Sequence, residues 1–381
     1  MKRISGPEVF VVADNILSPL GKTTAENFKN LKRGLSAVKE HNEPDVSDSS
    51  FFASLFDKGE KFLESSAHSY TKFEQLLIAS VTDALQKSGI DPKDKKNILI
   101  ISSTKGNISL LETEPAGPKV ITKISLSQSA KLVADHFGFV NQPIVISNAC
   151  VSGVLAIITG MRLLRAGQYE NAVITGADVI SKFIFSGFES FNALSPQICK
   201  PFDKSRDGLN LGEGAATVIL STDKKYRENL KVKGGAVSND ANHISGPSRT
   251  GEELAGAIKN AITDANIGVD EIALISAHGT ATLYNDEMEA KAIAASGLQN
   301  VPLNSLKGYY GHTLGAAGLI ETVISIQSLK EGVNLPTAGF SELDKDIDVN
   351  VETRELPVNT GNFLKTASGF GGCNAVLVVG N

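Results

Sequence analysis

Pro143-Ile-Val-Ile-Ser147 runs directly into Asn148-Ala-Cys-Val-Ser-Gly153 and then into a nearly uncharged stretch that reaches Leu164 and stops at Gly167. The first segment is a short apolar strand, and the last reads as a helix that is apolar on all sides. A helix of that kind is usually buried at the centre of a large domain. Cys150 lies between the two, at or beside the helix N-terminus, where free amides and the positive end of the helix dipole favour thiolate over thiol. Ser152 and Gly153 keep the first turn slim enough for a substrate to reach the sulfur. Taken alone, an Asn-Ala-Cys tripeptide is more often a small buried hydrophobe.

Working outward, strand-like and helix-like segments alternate along the whole chain, which predicts an α/β architecture. Val9-Phe-Val-Val-Ala13 is the first strand, and Thr23-Thr-Ala-Glu26 is a capping-box start to a helix running towards Gly34. His41 to Ser66 reads as a polar, irregular surface excursion. Phe73 to Leu85 has helical periodicity, and Ile98-Leu-Ile-Ile-Ser102 and Ala172-Val-Ile-Thr-Gly-Ala177 are buried-type strands. The second half repeats this grammar. Glu271-Ile-Ala-Leu-Ile-Ser276 ends at Ala277-His-Gly-Thr280, and Val301-Pro-Leu-Asn-Ser305 leads through Lys307 and His312 into an apolar helix from Leu314 to Leu329. A glycine loop followed by a strand occurs twice, at Gly212–Leu220 and at Gly369–Val379. The pattern predicts two similar halves, 1–222 carrying Cys150 and 223–381 carrying His278 and His312, joined near Ser221 to Leu230.

Composition narrows the class. The chain has 381 residues, 41% hydrophobic and 21% charged, so a sizeable core is expected. Its formal charge of −5, without a Lys/Arg block, offers no case for nucleic acid as the main partner. A local basic patch for an acidic protein remains compatible with that balance. The basic start, Met1-Lys-Arg-Ile-Ser-Gly-Pro7, does not read as a signal peptide, and no apolar run reaches membrane-spanning length. Cys150, Cys199 and Cys373 match no zinc spacing, so no metal site is expected, and a sparse, odd set suits a reducing cytoplasm.

Only six histidines occur, and His278 and His312 both follow short apolar strands in glycine-containing loops. Histidine suits hydrogen bonding to a developing oxyanion or proton transfer near neutral pH. Lys307 and Glu289 could pair and orient these loops. Gly369-Phe-Gly-Gly372 has the freedom to bring backbone amides close to a ligand.

Five spaced motifs occur in order: Asn148-Ala-Cys-Val-Ser-Gly153, Pro201-Phe-Asp-Lys-Ser-Arg-Asp-Gly208 with Gly212-Glu-Gly-Ala215, His278-Gly-Thr-Ala-Thr282, Lys307 with Gly311-His-Thr-Leu-Gly-Ala-Ala-Gly318, and Gly369-Phe-Gly-Gly372. Together they resemble the β-ketoacyl-acyl-carrier-protein synthases of the thiolase-like superfamily, over essentially the whole chain. The resemblance implies a five-layered αβαβα fold of two related halves. It also implies a dimer, of two copies or with a second synthase-like chain. Cys150 would take an acyl group from the phosphopantetheine arm of an acyl carrier protein, with no bound cofactor. The amides of Cys150 and Phe370 would form an oxyanion hole. His278 and His312 would hydrogen-bond the enolate left when malonyl-carrier loses carbon dioxide, with Lys307 and Glu289 holding their loops. Thr280, Thr282 and Gly371 match positions near the pantetheine and malonyl groups, and Phe370 matches a gate.

Several stretches depart from the family. Ser102-Ser-Thr-Lys-Gly-Asn107 stands for a glycine-rich segment, and Val120 to Phe139 resembles the usual interface and acyl-pocket pattern poorly. Asn192 replaces a common basic residue, and Ser368 a common phenylalanine. These bear on chain specificity and carrier docking, and point towards a specialised polyketide or polyene pathway. A thiolase-type, non-decarboxylating acyltransferase is a rival, but its second cysteine precedes the C-terminal glycines, whereas Cys373 follows them and reads as a packing residue. A chain-length-determining partner subunit is another, but such partners usually lose the nucleophile.

Overall fold

The apolar runs become the strands of one eleven-stranded sheet in a computed structural model. The structure describes residues 6–63, 69–115, 117–242, 246–345, 347–358 and 361–381. The first five residues of the basic N-terminal stretch and the end of the polar segment, Glu64–Ser66, lie outside them. We label the main strands β1 (Phe10–Leu17), β2 (Asn97–Ser102), β3 (Ile144–Ile146), β4 (Asn171–Asp178), β5 (Gly214–Ser221), β6 (Lys231–Asn239), β7 (Ile272–Ser276), β8 (Pro302–Asn304), β9 (Asn362–Gly369) and β10 (Cys373–Gly380).

Their spatial order is β3-β2-β4-β5-β1 followed by β6-β10-β9-β7-β8, with Asn350–Val351 at the far edge. Counted within each half, this is the same arrangement read outward from the centre. In both halves the second, third and fourth strands are parallel, and the fifth is antiparallel to its two neighbours. The halves meet where β1 and β6 pair at Phe10 and Lys231, flanked by Val11 N–H donating to Leu230 O at 2.8 Å and Val232 N–H donating to Val9 O at 2.9 Å.

The main helices are α1 (Thr24–Lys32), α2 (Lys72–Ser88), α3 (Ser152–Arg165), α4 (Glu252–Ala265), α5 (Leu283–Ala295) and α6 (Ala317–Glu331). Strand alternation sorts them into layers. On β2, Ile98 and Ile100 face α3 and α6 in a core shared with Phe363 and Ala367 of β9. Their neighbours Leu99 and Ile101 face the opposite way, onto Leu77 and Val81 of α2. Leu364 of β9 likewise turns outward, to Ile258 of α4 and Ile293 of α5. The result is five layers, α2 | sheet | α3 and α6 | sheet | α4 and α5, which is the thiolase-like arrangement of two related halves.

The two central helices touch backbone to backbone. A Cβ added at Gly153 would lie 2.7 Å from Leu319 N, and one at Gly318 would lie 2.7 Å from Val154 N. Both α3 and α6 are therefore largely buried, as their apolar stretches predict, with the charges of α3 confined to its last turn and Glu321 the one charge in the apolar part of α6.

Two local expectations change. The stretch from His41 is not simply a surface excursion: Phe51–Ser54 is a strand paired with Lys39–His41 and with Leu211–Gly212. Phe51, Ala53 and Phe56 are buried, which a sequence dominated by polar neighbours conceals. The second apolar helix does not start at Leu314. Leu314 has φ of 51°, which a right-handed α-helix excludes; a 3-10 turn spans Leu314–Ala316, and α6 begins at Ala317.

Candidate active site

Three loops converge at the ends of the central helices. β3 leads into the loop bearing Cys150, just ahead of α3. β8 leads, through the short helix Lys307–Tyr310, into the loop bearing His312 ahead of α6, the corresponding place in the second half. β7 ends at Ser276, two residues before His278. Each loop contains a non-glycine residue in the left-handed region: Ala149 (φ 44°), Ala281 (φ 61°) and Leu314 (φ 51°). Such residues cost about 1–3 kcal/mol each and persist where surrounding contacts over-determine them. At Cys150 the contacts come from Ser152, whose hydroxyl accepts from Asn148 N–H at 2.8 Å and donates to Ala149 O at 2.6 Å.

The thiol of Cys150 and ring nitrogens of His278 and His312 all lie within 4.8 Å of one another. The two imidazoles meet edge to face, with centroids 5.3 Å apart. Both nitrogens of His312 are buried without a hydrogen-bond partner among the described residues. Burial lowers both imidazoles well below the ordinary value, and the nearby Lys307 and Lys365 cations push the same way. Both rings are therefore neutral at physiological pH.

The same burial pushes the Cys150 thiol up to about 12, against a smaller pull from Lys307. This reverses the sequence expectation of a resting thiolate. Desolvation outweighs the helix N-terminus, so the resting group is a thiol beside neutral imidazoles that can accept its proton.

The pairing of Lys307 with Glu289 does not form. Lys307 Nζ donates to Glu321 Oε1 at 2.7 Å and to His278 O at 2.6 Å, with His278 Nδ1 at 3.4 Å. Glu289 approaches from the other side of the sheet. Its Oε1 accepts from His278 N–H at 2.8 Å and from Thr366 Oγ1 at 2.5 Å, and its Oε2 accepts from Gly279 N–H at 2.7 Å. The reason is layer geometry: α5 packs on the outer face of the sheet, whereas Lys307 points into the central layer. Burial alone would raise the Glu321 carboxyl, but Lys307 and Lys365 hold it below the ordinary value.

A cavity of about 480 Å³ opens above the three groups. Cys150, His278, His312, Thr280, Thr282 and Phe370 line it, and the two threonine hydroxyls lie 2.8 Å apart. Phe370 is 39% exposed and stacks on Phe188 at 5.7 Å and against Phe191 at 5.3 Å, roofing the mouth. Asn192 and Ser368 also line it. Gly371 does not: it is exposed on the tip of the turn, with nothing within 4 Å of an added Cβ. Gly369 lies against the nucleophile, where a Cβ would stand 3.0 Å from Cys150 N and 3.0 Å from Cys373 Sγ. Cys373 is buried beneath, its thiol 3.5 Å from Phe370 O.

This chain matches the family model described as beta-ketoacyl synthase, N-terminal domain, over residues 7–225, and the C-terminal domain of the same enzymes over 230–341. The chain belongs to the beta-ketoacyl synthase family. It is 30% identical to a 3-oxoacyl-[acyl-carrier-protein] synthase 2 from Vibrio harveyi, covering 98% of this chain and 99% of that one. It is 29% identical to the tetracenomycin polyketide synthase ketoacyl synthase alpha subunit of Streptomyces glaucescens, over 100% and 98% of the two chains. The solved ishigamide ketosynthase/chain length factor superposes with a TM-score of 0.89 at 24% identity, covering 99% of each chain.

Sequence reading missed three buried polar groups of this ketoacyl synthase. Lys365 is the one charged residue of β9 and Glu321 the one charge in α6 before its last turn, and that isolation of charge is the signal that could have found them. Asp178 closes β4 and accepts from Ser103 Oγ at 2.7 Å, Thr104 N–H at 3.1 Å and Gly315 N–H at 2.6 Å, tying the His312 loop to the first half. Its partners come from distant loops, so nothing local in the sequence marks it.

Proposed function

We propose that the chain is a decarboxylating condensing enzyme, a 3-oxoacyl-[acyl-carrier-protein] synthase that elongates an acyl group held as a thioester on Cys150. The observation that carries this reading is the close set of one thiol and two neutral imidazoles at the floor of the cavity, with both ring nitrogens of His312 unpartnered among the described residues. A buried polar ring left unpaired is costly unless a ligand completes it.

In the first half-reaction Cys150 gives its proton to a neighbouring imidazole, and the sulfur attacks the thioester carbonyl of acyl-carrier. The new C–S bond forms, the carrier's C–S bond breaks, and the departing pantetheine thiolate takes the proton. The amides of Cys150 and Phe370 receive the oxyanion, a contribution on the order of 3 kcal/mol for one such donor. In the second, malonyl-carrier loses carbon dioxide, and N–H groups of His278 and His312 donate to the enolate oxygen. The enolate carbon attacks the acyl thioester, the C–C bond forms as the C–S bond to Cys150 breaks, and the released thiolate takes a proton from solvent to restore the resting thiol. Lys307 and Glu289 act as positioning residues for the His278 loop, one on its carbonyl and the other on its amides.

We assign the nucleophile to the half 1–222 and the histidines to 223–381. The partners are an acyl carrier protein and a second thiolase-fold chain, either another copy or a related subunit of the kind named in the ishigamide ketosynthase/chain length factor. A reducing cytoplasm suits three free cysteines, and no described helix is long and apolar enough to cross a membrane. No cofactor enters these steps, because the carrier's pantetheine arm delivers both substrates.

Intact-protein mass after mixing with a panel of acyl carriers, then malonyl-carrier, tests this reading. The expected result is an acyl adduct on Cys150 followed by a 3-ketoacyl product. A chain that takes no acyl group from any donor, alone or with a related subunit, would refute it.

A further inference from the structure

Lys365 lies in the middle of β9, directly beside Ser276 of β7, and its side chain is fully buried. It shares the inward face of the strand with Phe363 and Ala367, so it points to the central helices. Its Nζ donates to Ser276 O at 3.1 Å and Ala277 O at 3.1 Å, and forms an ion pair with Glu321 Oε2 at 2.7 Å. A buried lysine inside a sheet is an expensive choice where leucine would pack, so a specific demand must hold it there.

The demand is visible in the neighbouring contacts. Lys307 takes the next carbonyl, that of His278, together with the other oxygen of Glu321. Three successive carbonyls, Ser276, Ala277 and His278, are thus gripped from the inner side by two ammonium groups sharing one carboxylate. From the outer side Glu289 holds the amides of His278 and Gly279. We infer that Lys365 is a positioning residue for His278: its ammonium occupies a cation site of two main-chain carbonyls and one carboxylate, and fixes the strand end that aims the imidazole. The inference rests on the condensing function proposed above, because decarboxylation is the step that needs His278 in place.

The ligand set, three oxygens around one positive charge, is one that a small monovalent cation could also satisfy. That makes the role testable by chemical rescue. Lys365→Ser leaves room for an ion, whereas Lys365→Met fills the space with an uncharged chain. With tetramethylammonium as the only monovalent cation, both variants are expected to load Cys150 from acyl-carrier but to decarboxylate malonyl-carrier about 100-fold more slowly, the loss typical of a misplaced catalytic group. Ammonium or potassium should restore Lys365→Ser by about tenfold or more, in a saturable manner, and leave Lys365→Met and the natural enzyme unchanged. Decarboxylation by both variants within twofold of the natural enzyme would overturn the inference, as would a loss in Lys365→Ser that no small cation relieves. If Lys365→Ser is unfolded in tetramethylammonium, recovery of its melting transition in ammonium or potassium supports the cation site, and no recovery overturns it. A natural enzyme that fails to decarboxylate malonyl-carrier would instead refute the underlying function, so the two failures are distinct.

Discussion

Glu289 accepts the main-chain N–H of His278 at 2.8 Å while remaining fully buried, so a carboxylate on one side of the sheet sets the position of an imidazole on the other. Replacing it by glutamine keeps the shape but turns one end of the group from acceptor to donor, facing an N–H or the Thr366 hydroxyl. Glu289→Gln should load Cys150 within a few-fold of the natural rate and decarboxylate about 100-fold more slowly, because only the second half-reaction relies on the aim of His278. Single-turnover loading and carbon dioxide release, measured separately, check this. Equal losses in both steps would mean that Glu289 supports the whole site rather than His278.

Phe370 covers the cavity through ring contacts with Phe188 and Phe191. Each such contact contributes about 0.5–1.5 kcal/mol, so truncating Phe370 removes a lid held by roughly twice that. Phe370→Ala should increase the rate of Cys150 alkylation by iodoacetamide by about tenfold at constant pH, following the loss of those contacts. An unchanged rate would place the barrier to the thiol elsewhere along the cavity.

The histidines give stability a pH dependence with a definite sign. Burial, with Lys307 and Lys365, holds the folded-state pKa of both below the usual value of 6.5. Above that pH both folded and unfolded rings are neutral. Below it the unfolded chain takes up protons that the folded chain refuses, so stability falls as pH drops through 6.5, by up to about 1.4 kcal/mol per unit for each ring. Asp286 works in the opposite sense. Burial raises its carboxyl to about 6, so the folded state gains a proton as pH falls from there towards 3.8. Urea midpoints at pH 7 and 5.5 should show a loss in the natural chain, a larger loss in Asp286→Asn, and a smaller one in His278→Asn/His312→Asn. An identical slope in the double variant would show that other groups carry the acid sensitivity.

The alternation of strands and helices and the candidates Cys150, His278 and His312 were legible in local patterns, an apolar strand followed by a reactive residue in a short loop, whereas the layer order and the gathering of the three groups came from the resemblance carried by the five motifs. What escaped is pairing across layers. Lys307 sits eighteen residues from Glu289 and fourteen from Glu321, and nothing in that spacing says which carboxylate shares its side of the sheet. The resting state of Cys150 escaped for a related reason. A helix N-terminus can be read from sequence, but the desolvation that overrides it depends on what Gly369, Phe370 and α6 place around the sulfur. The buried strand Phe51–Ser54 was hidden because its near partner, Lys39–His41, is polar and its other partner, Leu211–Gly212, lies more than 150 residues away.

Gly318 tests the centre of the fold independently of the chemistry. An added Cβ there meets Val154 Cγ2 at 2.6 Å and Val154 N at 2.7 Å, and the second of these is backbone of α3 that cannot rotate away. Gly318→Val therefore has to separate α3 from α6, and both helices carry a site loop at their N-termini: Cys150 on one, His312 on the other. Overpacking of this kind costs about 1–3 kcal/mol. The variant should unfold at correspondingly lower urea concentration and, because the spacing between thiol and imidazole widens, lose activity in excess of its loss of folded protein. Retention of full specific activity at reduced stability would show that the two loops are held by Asp178 and Ser152 alone, without help from the helix crossing.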